Sequence, residues 1–203
     1  MNKKLLIIII TAAVLAIGYF MSVAGRPIFD FSPSHSSEQP SHLSAFVSQA
    51  LEEKFNYLSR SGNSACSAAF RNSISSMPDT ERLRGSCCSA MNLHRYGEQV
   101  DGLKKYSDIQ EIPPDPYDVE VGLAKNMMGY YDMELTPKEQ GAYDYAMQNS
   151  NENGPCCCKC WRWYVYGGLG KYLIRKYGFT GEQVVDVWNL SDGCGGDSEH
   201  GGH

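Results

Sequence analysis

Four of this chain's eight cysteines fall within six residues, Pro155-Cys156-Cys157-Cys158-Lys159-Cys160. Adjacent cysteines rarely bridge one another, because a disulfide demands a particular Cα and Cβ geometry. These thiols must therefore find partners elsewhere, in a metal or in Cys66, Cys87, Cys88 and Cys194. Any fold that satisfies them has to return distant segments to one place. If the stretch is helical, Cys156 and Cys160 share a face at i, i+4. Cys157 to Cys160 is also a Cys-x-x-Cys, a spacing used by soft-metal sites and by thiol redox sites.

The opening of the chain reads as an address. Lys3 and Lys4 precede an apolar run from Leu5 to Met21, an order that sends the following chain out of the cytoplasm. Ser22-Val23-Ala24 is an acceptable cleavage site. The run exceeds a usual signal-peptide core of about 7–15 residues and approaches a bilayer span. An uncleaved anchor over residues 1–25 is therefore favoured over secretion after cleavage at Ala24. Residues 26–40, rich in Ser and Pro, read as a linker. The cysteines are then expected in an extracytoplasmic, disulfide-permissive compartment.

Beyond the linker the periodicity is helical, and the expected fold class is all-α, a single bundle of about six helices. Leu43, Phe46, Val47, Ala50, Leu51, Phe55 and Leu58 mark the first helix, ended by Gly62. A second starts near Asn63, with Cys66, Phe70 and Ile74 on its apolar face. A third is expected from Thr80 to Tyr96 and would align Cys87, Met91 and His94. Asp115-Pro116 suggests the start of a fourth. Thr136-Pro137-Lys138-Glu139 is a capping-box signature for a fifth. Pro155 would open the sixth, running to Tyr177, and Thr180 to Gln183 cap a last short helix. Gly167, Gly168 and Gly170 weaken the sixth helix by about 1 kcal/mol each relative to Ala. They imply close approach of a neighbour. The globular domain is assigned to 41–192, and 193–203, Gly-rich with His200 and His203, to a flexible tail.

Chemistry in this chain is chiefly sulfur chemistry. Net charge is -5 without a large basic run, which argues against a nucleic-acid partner. No Gly-rich phosphate loop, His-Glu-x-x-His or haem-attachment motif is present in the sequence, so no enzyme class is indicated. Thiols just after a first-turn proline would lie where a helix dipole favours an anion. Candidate metal ligands are Cys156, Cys158 and Cys160, with Cys157, Cys87, Cys66, Cys88, Met91 and His94 as further members. Thiolate, thioether and imidazole together suit Cu(I), and thiolates also suit Zn(II). Two alternatives stay open: a disulfide-stapled domain without metal, for which eight cysteines allow about 105 pairings, and a thiol oxidoreductase using Cys157 and Cys160.

The hexapeptide resembles the Pro-Cys-x-Cys-x-Cys signature of the PCYCGC-motif proteins, small exported bacterial proteins. Departures are Cys157 for Tyr, Lys159 for Gly, and the lack of a His shortly downstream. The resemblance implies metal binding, with Cys156, Cys158 and Cys160 as ligands. The expected partners are thus the membrane, through the N-terminal segment, and a metal-donor or acceptor protein.

Overall fold

The computed structural model describes residues 42–196, with side chains from residue 48 onward. The expected anchor, linker and terminal histidines lie outside the described residues. No described helix is long and apolar enough to cross a membrane.

The described chain is mostly helical, with seven α-helices and one two-stranded sheet. Helix α1 spans His42–Arg60. Its Leu58 is buried against Tyr96 and Tyr117, and Phe55 stacks at a tilt on Tyr96 with centroids 5.9 Å apart. Helix α2, Ala68–Ser73, is capped by Ser67, whose hydroxyl accepts the Phe70 N–H at 3.1 Å.

The region expected as one helix from Thr80 to Tyr96 is divided. Strand β1, Arg82–Arg84, pairs antiparallel with β2, Asp118–Glu120, placing Leu83 opposite Val119. Both of these side chains are fully buried. Asn63 explains why the strand wins. Its side chain accepts the Arg84 N–H at 2.7 Å and donates to the Arg82 carbonyl at 3.0 Å, acting as a second partner for β1 beside β2. Gly85, at φ +74°, then turns the chain out of the strand. Helix α3 begins only at Leu93 and runs to Leu103, capped by Asn92. Cys87, Met91 and His94 therefore do not share a helical stripe. Asp115-Pro116 also starts no helix directly. Asp115 accepts the Tyr117 N–H at 2.9 Å in a local turn, β2 follows, and helix α4 spans Val121–Gly129.

The C-terminal half follows the sequence more closely. Thr136 and Glu139 form the expected capping box of α5, Pro137–Asn149. Thr180 and Gln183 form another at the start of α7, Gly181–Leu190. Between them lies α6, Trp161–Tyr177, ended by left-handed Gly178. Trp161, Val165, Tyr166, Leu169 and Leu173 on α6 are fully buried, and α4, α5 and α7 all pack against it.

The glycines of α6 are explained by this packing. A Cβ on Gly168 would overlap the Met127 carbonyl of α4. Two helix backbones meet there, which only a residue lacking a side chain permits. At Gly170 an added Cβ would strike the Trp188 ring. Trp188 is held in turn by its Nε1–H donating to the Tyr166 carbonyl at 2.8 Å and by an edge-on Tyr143, 5.5 Å between centroids.

Candidate metal centre

All sulfur reaches the centre on loops rather than helices. The Pro155–Cys160 stretch is irregular, and α6 starts after it with Cys160 as the extended N-cap residue. Cys66 precedes α2, and Cys87 and Cys88 lie in the 85–92 loop. Cys194 comes from the segment after α7 that the sequence assigns to a flexible tail. Irregular backbone suits this task. A helix spaces i and i+4 side chains along one face, whereas bends let neighbouring thiols converge.

Backbone hydrogen bonds sew these loops together. The Cys87 N–H donates to the Gly193 carbonyl at 3.4 Å, the Ser89 N–H to the Cys194 carbonyl at 2.9 Å, and the Gly196 N–H to the Ala90 carbonyl at 2.8 Å. Gly195, at φ +80°, lies against the Ser89 and Ala90 carbonyls, where a Cβ would collide with both. Asp192 anchors the same segment from inside. Its carboxylate accepts the Cys194 N–H at 3.1 Å and pairs with Arg95 at 2.6 Å, while its carbonyl accepts from Gln99 at 2.6 Å. Residues 193–196 thus belong to the folded domain.

The eight sulfurs form one connected network. Successive Sγ–Sγ distances are 2.6 Å for Cys66–Cys158, 3.8 Å for Cys158–Cys88 and 3.9 Å for Cys88–Cys157. They continue at 3.0 Å for Cys157–Cys194, 3.1 Å for Cys194–Cys156 and 3.7 Å for Cys156–Cys160. Cys160–Cys87 at 4.0 Å and Cys87–Cys88 at 3.7 Å close the circuit. All eight cysteines are free. Cys156, Cys160 and Cys194 are buried, whereas Cys66, Cys88 and Cys157 are exposed. The centre is therefore sunk into the domain on one side and open to solvent on the other.

Crowding makes the thiols share protons unevenly. A hydrogen bond from Cys156, against the cost of burial and with help from Cys66, lowers Cys158 to about 6. Hydrogen bonds from Cys156 and Cys160 lower Cys87, and the Arg162 charge adds to this. Cys194 is lowered by Cys156 and Cys87. Burial, followed by Cys158, pushes Cys66 up to about 12.

One cation is buried beside the thiols. Arg162, on the first turn of α6, is 1% exposed. It donates to the Pro116 carbonyl at 2.5 Å and to the Gly85 carbonyl at 3.0 Å. Its guanidinium carbon lies 4.5 Å from the Trp161 ring centroid. Burial works against its charge, yet Tyr166 and the Cys87, Cys156 and Cys194 sulfurs outweigh burial and hold its pKa above the usual arginine value. A buried guanidinium is costly unless anions compensate it, and of the three sulfurs beside it Cys87 and Cys194 are lowered toward the thiolate while Cys156 is pushed up.

The structure brings Cys66, Cys87, Cys88, Cys156, Cys157, Cys158 and Cys160 together. Met91 and His94 go elsewhere. Met91 packs with the Leu58, Tyr96 and Tyr117 group, and its Sδ accepts from the Ser59 hydroxyl at 3.6 Å. The His94 side chain is 86% exposed and pairs with Glu98 at 3.2 Å. Sequence reasoning named Cys194 only as a possible partner of the cluster thiols, left it out of the candidate ligands, and missed Arg162 as their neighbour. The only local signal for Cys194 was a thiol amid Asp192-Gly193 and Gly195-Gly196. The Lys159 ammonium lies over the Trp163 ring at 5.8 Å. Searches for similar proteins give no further guide: no protein-family model, no curated protein and no solved structure matches this chain.

Proposed function

We propose that this protein binds a soft metal, Cu(I) or Zn(II), outside the cytoplasm, through a thiolate centre on a helical domain. The observation that carries this reading is the continuous network of eight sulfurs, with five of its neighbour distances between 3.7 and 4.0 Å. Thiolates that share one ion through metal–sulfur bonds of about 2.3 Å stand about 3.8 to 4.0 Å apart, whether three or four of them are present. Free thiols have no reason to gather in this number, since eight scattered burials would satisfy them equally well. Soft thiolate ligands select ions such as Cu(I) and Zn(II).

Metal handling fits better than catalysis. The exposed edge at Cys66, Cys88 and Cys157 offers a route by which a donor or acceptor protein exchanges metal with the centre. The Lys3-Lys4 and Leu5–Met21 pattern supports tethering to the membrane with the domain outside.

Metal analysis of protein purified under reducing conditions tests this reading. Stoichiometric Cu(I) or Zn(II), lost when Cys156, Cys158 and Cys160 are changed to Ser, is the expected result. Absence of both metals from protein with intact thiols overturns it. A disulfide-stapled domain is the second reading, favoured by the 2.6 Å approach of Cys66 and Cys158. Thiol exchange through Cys157 and Cys160 has less support. Cys157 meets Cys88 and Cys194, and Cys160 meets Cys87 and Cys156.

A further inference from the structure

The sulfurs do not form a set of separate sites. Their close groups are Cys66–Cys158–Cys160, Cys87–Cys88–Cys194, Cys88–Cys157–Cys158 and Cys156–Cys157–Cys194, each with all its sulfurs within 4.8 Å of one another. Two features of this grouping choose between metals. Every group closes at three sulfurs, and every group shares at least one sulfur with another.

Closure at three disfavours zinc. A structural Zn(II) site takes four ligands, and a tetrahedral set of thiolates would hold all four sulfurs about 3.8 Å from one another. Among the described residues no four sulfurs stand that close to one another, and each close group has three members. An iron–sulfur cluster puts iron and sulfide between its thiolates, whereas here the sulfurs meet one another directly. Cu(I), a soft ion without a ligand-field preference, is satisfied by as few as two or three thiolates.

Sharing sets the nuclearity. Cys88, Cys194 and Cys157 each belong to two of the groups. They link three groups into a ring of alternating bridges and three-sulfur sites. Cys87, Cys156 and Cys158 are the remaining corners of those sites. Cys158 then joins the ring to the outer group, completed by Cys66 and Cys160. The four groups have twelve corners for eight sulfurs, which requires four sulfurs to serve twice. A thiolate carries enough lone pairs to bridge two ions.

Resting on the metal-binding reading above, we propose that the centre is a polynuclear Cu(I)–thiolate cluster of about four ions. Three ions occupy a ring bridged by Cys88, Cys157 and Cys194, and a fourth hangs from it on Cys158. The closest pairs, Cys66–Cys158, Cys157–Cys194 and Cys156–Cys194, open as ions enter between them. Loops rather than helices carry the sulfurs, and they can make this movement without disturbing the bundle.

The test is Cu(I) titration of the full-length, detergent-solubilised, reduced protein with oxygen excluded. Native mass spectrometry reads the ion count, and copper X-ray absorption reads the neighbours of each copper. The expected result is loading to about four Cu(I), each with sulfur ligands and a copper neighbour. A plateau at one or two isolated coppers, or a Zn(II) complex with tetrathiolate ligation that Cu(I) cannot displace, overturns the cluster and leaves metal binding standing. Retention of neither ion by protein with eight titratable thiols overturns both. Cys66→Ser should leave the outer ion on Cys158 and Cys160 alone, weakening that one ion and sparing the ring, and Cys88→Ser should weaken two ring ions in the same way. A Cys66→Ser protein with unchanged circular dichroism that binds no copper contradicts the proposed linkage.

Discussion

Arg162 donates to the carbonyl of Gly85 at 3.0 Å, two residues before Cys87. One buried side chain thereby ties the start of α6 to the loop carrying two sulfurs, and sets a positive charge beside them. Replacing it with Met keeps much of the volume but removes both functions. We expect Arg162→Met to weaken metal affinity about 10-fold, as loss of a group supporting metal ligands does. Arg162→Lys should not rescue it, because an ammonium lacks the planar fork that reaches two carbonyls. Competition titration against a chelator of known affinity measures both.

The candidate ligand set is separable by substitution. His94→Ala and Met91→Leu should leave metal stoichiometry unchanged, because His94 faces solvent beside Glu98 and Met91 packs on the Leu58 group. Cys194→Ser should lower it, because that sulfur lies 3.1 Å from Cys156 and 3.0 Å from Cys157. Metal content of the purified variants, normalised to protein, checks all three.

Mild oxidation offers a third expectation. Cys66 and Cys158 have the shortest sulfur contact, 2.6 Å, and Cys66 is exposed. Diamide treatment of metal-free protein should link this pair first, and metal loading should slow the reaction by occupying the thiolates. Peptide mapping of the early product identifies the bridge. A first bridge within the buried Cys156–Cys160 pair would contradict it.

Helix packing can be tested apart from the sulfurs. Gly168→Ala forces a methyl group onto the Met127 carbonyl, so α4 and α6 must separate. The cost should be about 3 kcal/mol, the upper part of the range for overpacking. For a domain of this size that lowers Tm by roughly 6–12 °C. Thermal melts followed by circular dichroism read the change.

Glu139 supplies a pH-dependent contribution to stability. Arg175, and then the Thr136 backbone N–H, hold its carboxyl near a pKa of about 2, below the ordinary 4.5. A carboxylate depressed on folding stabilises the fold above its unfolded pKa. That contribution fades as pH falls from about 4.5 through about 2. Glu139→Gln should therefore melt earlier than the parent at pH 7, with the difference shrinking toward pH 2.

The helical character of the chain, its capping boxes at Thr136 and Thr180, and its stop at Gly178 were legible because they depend on neighbours within a turn. The glycines of α6 announced a close approach for the same local reason, since their cost inside a helix needs compensation. The segment around Arg82 was not legible. Its apolar spacing suits a helix, and only Asn63 and the distant Asp118–Glu120 strand turn it into an edge.

Sulfur chemistry was likewise fixed by composition: eight thiols, four of them in six residues, limit what the chain can bind. Which sulfurs meet was decided by folding alone. Cys194 joins Cys156 across 38 residues, and Cys66 joins Cys158 across 92. Periodicity carries information over a few residues, so it cannot report such contacts. They arise from where buried helices end and which loops those ends bring together.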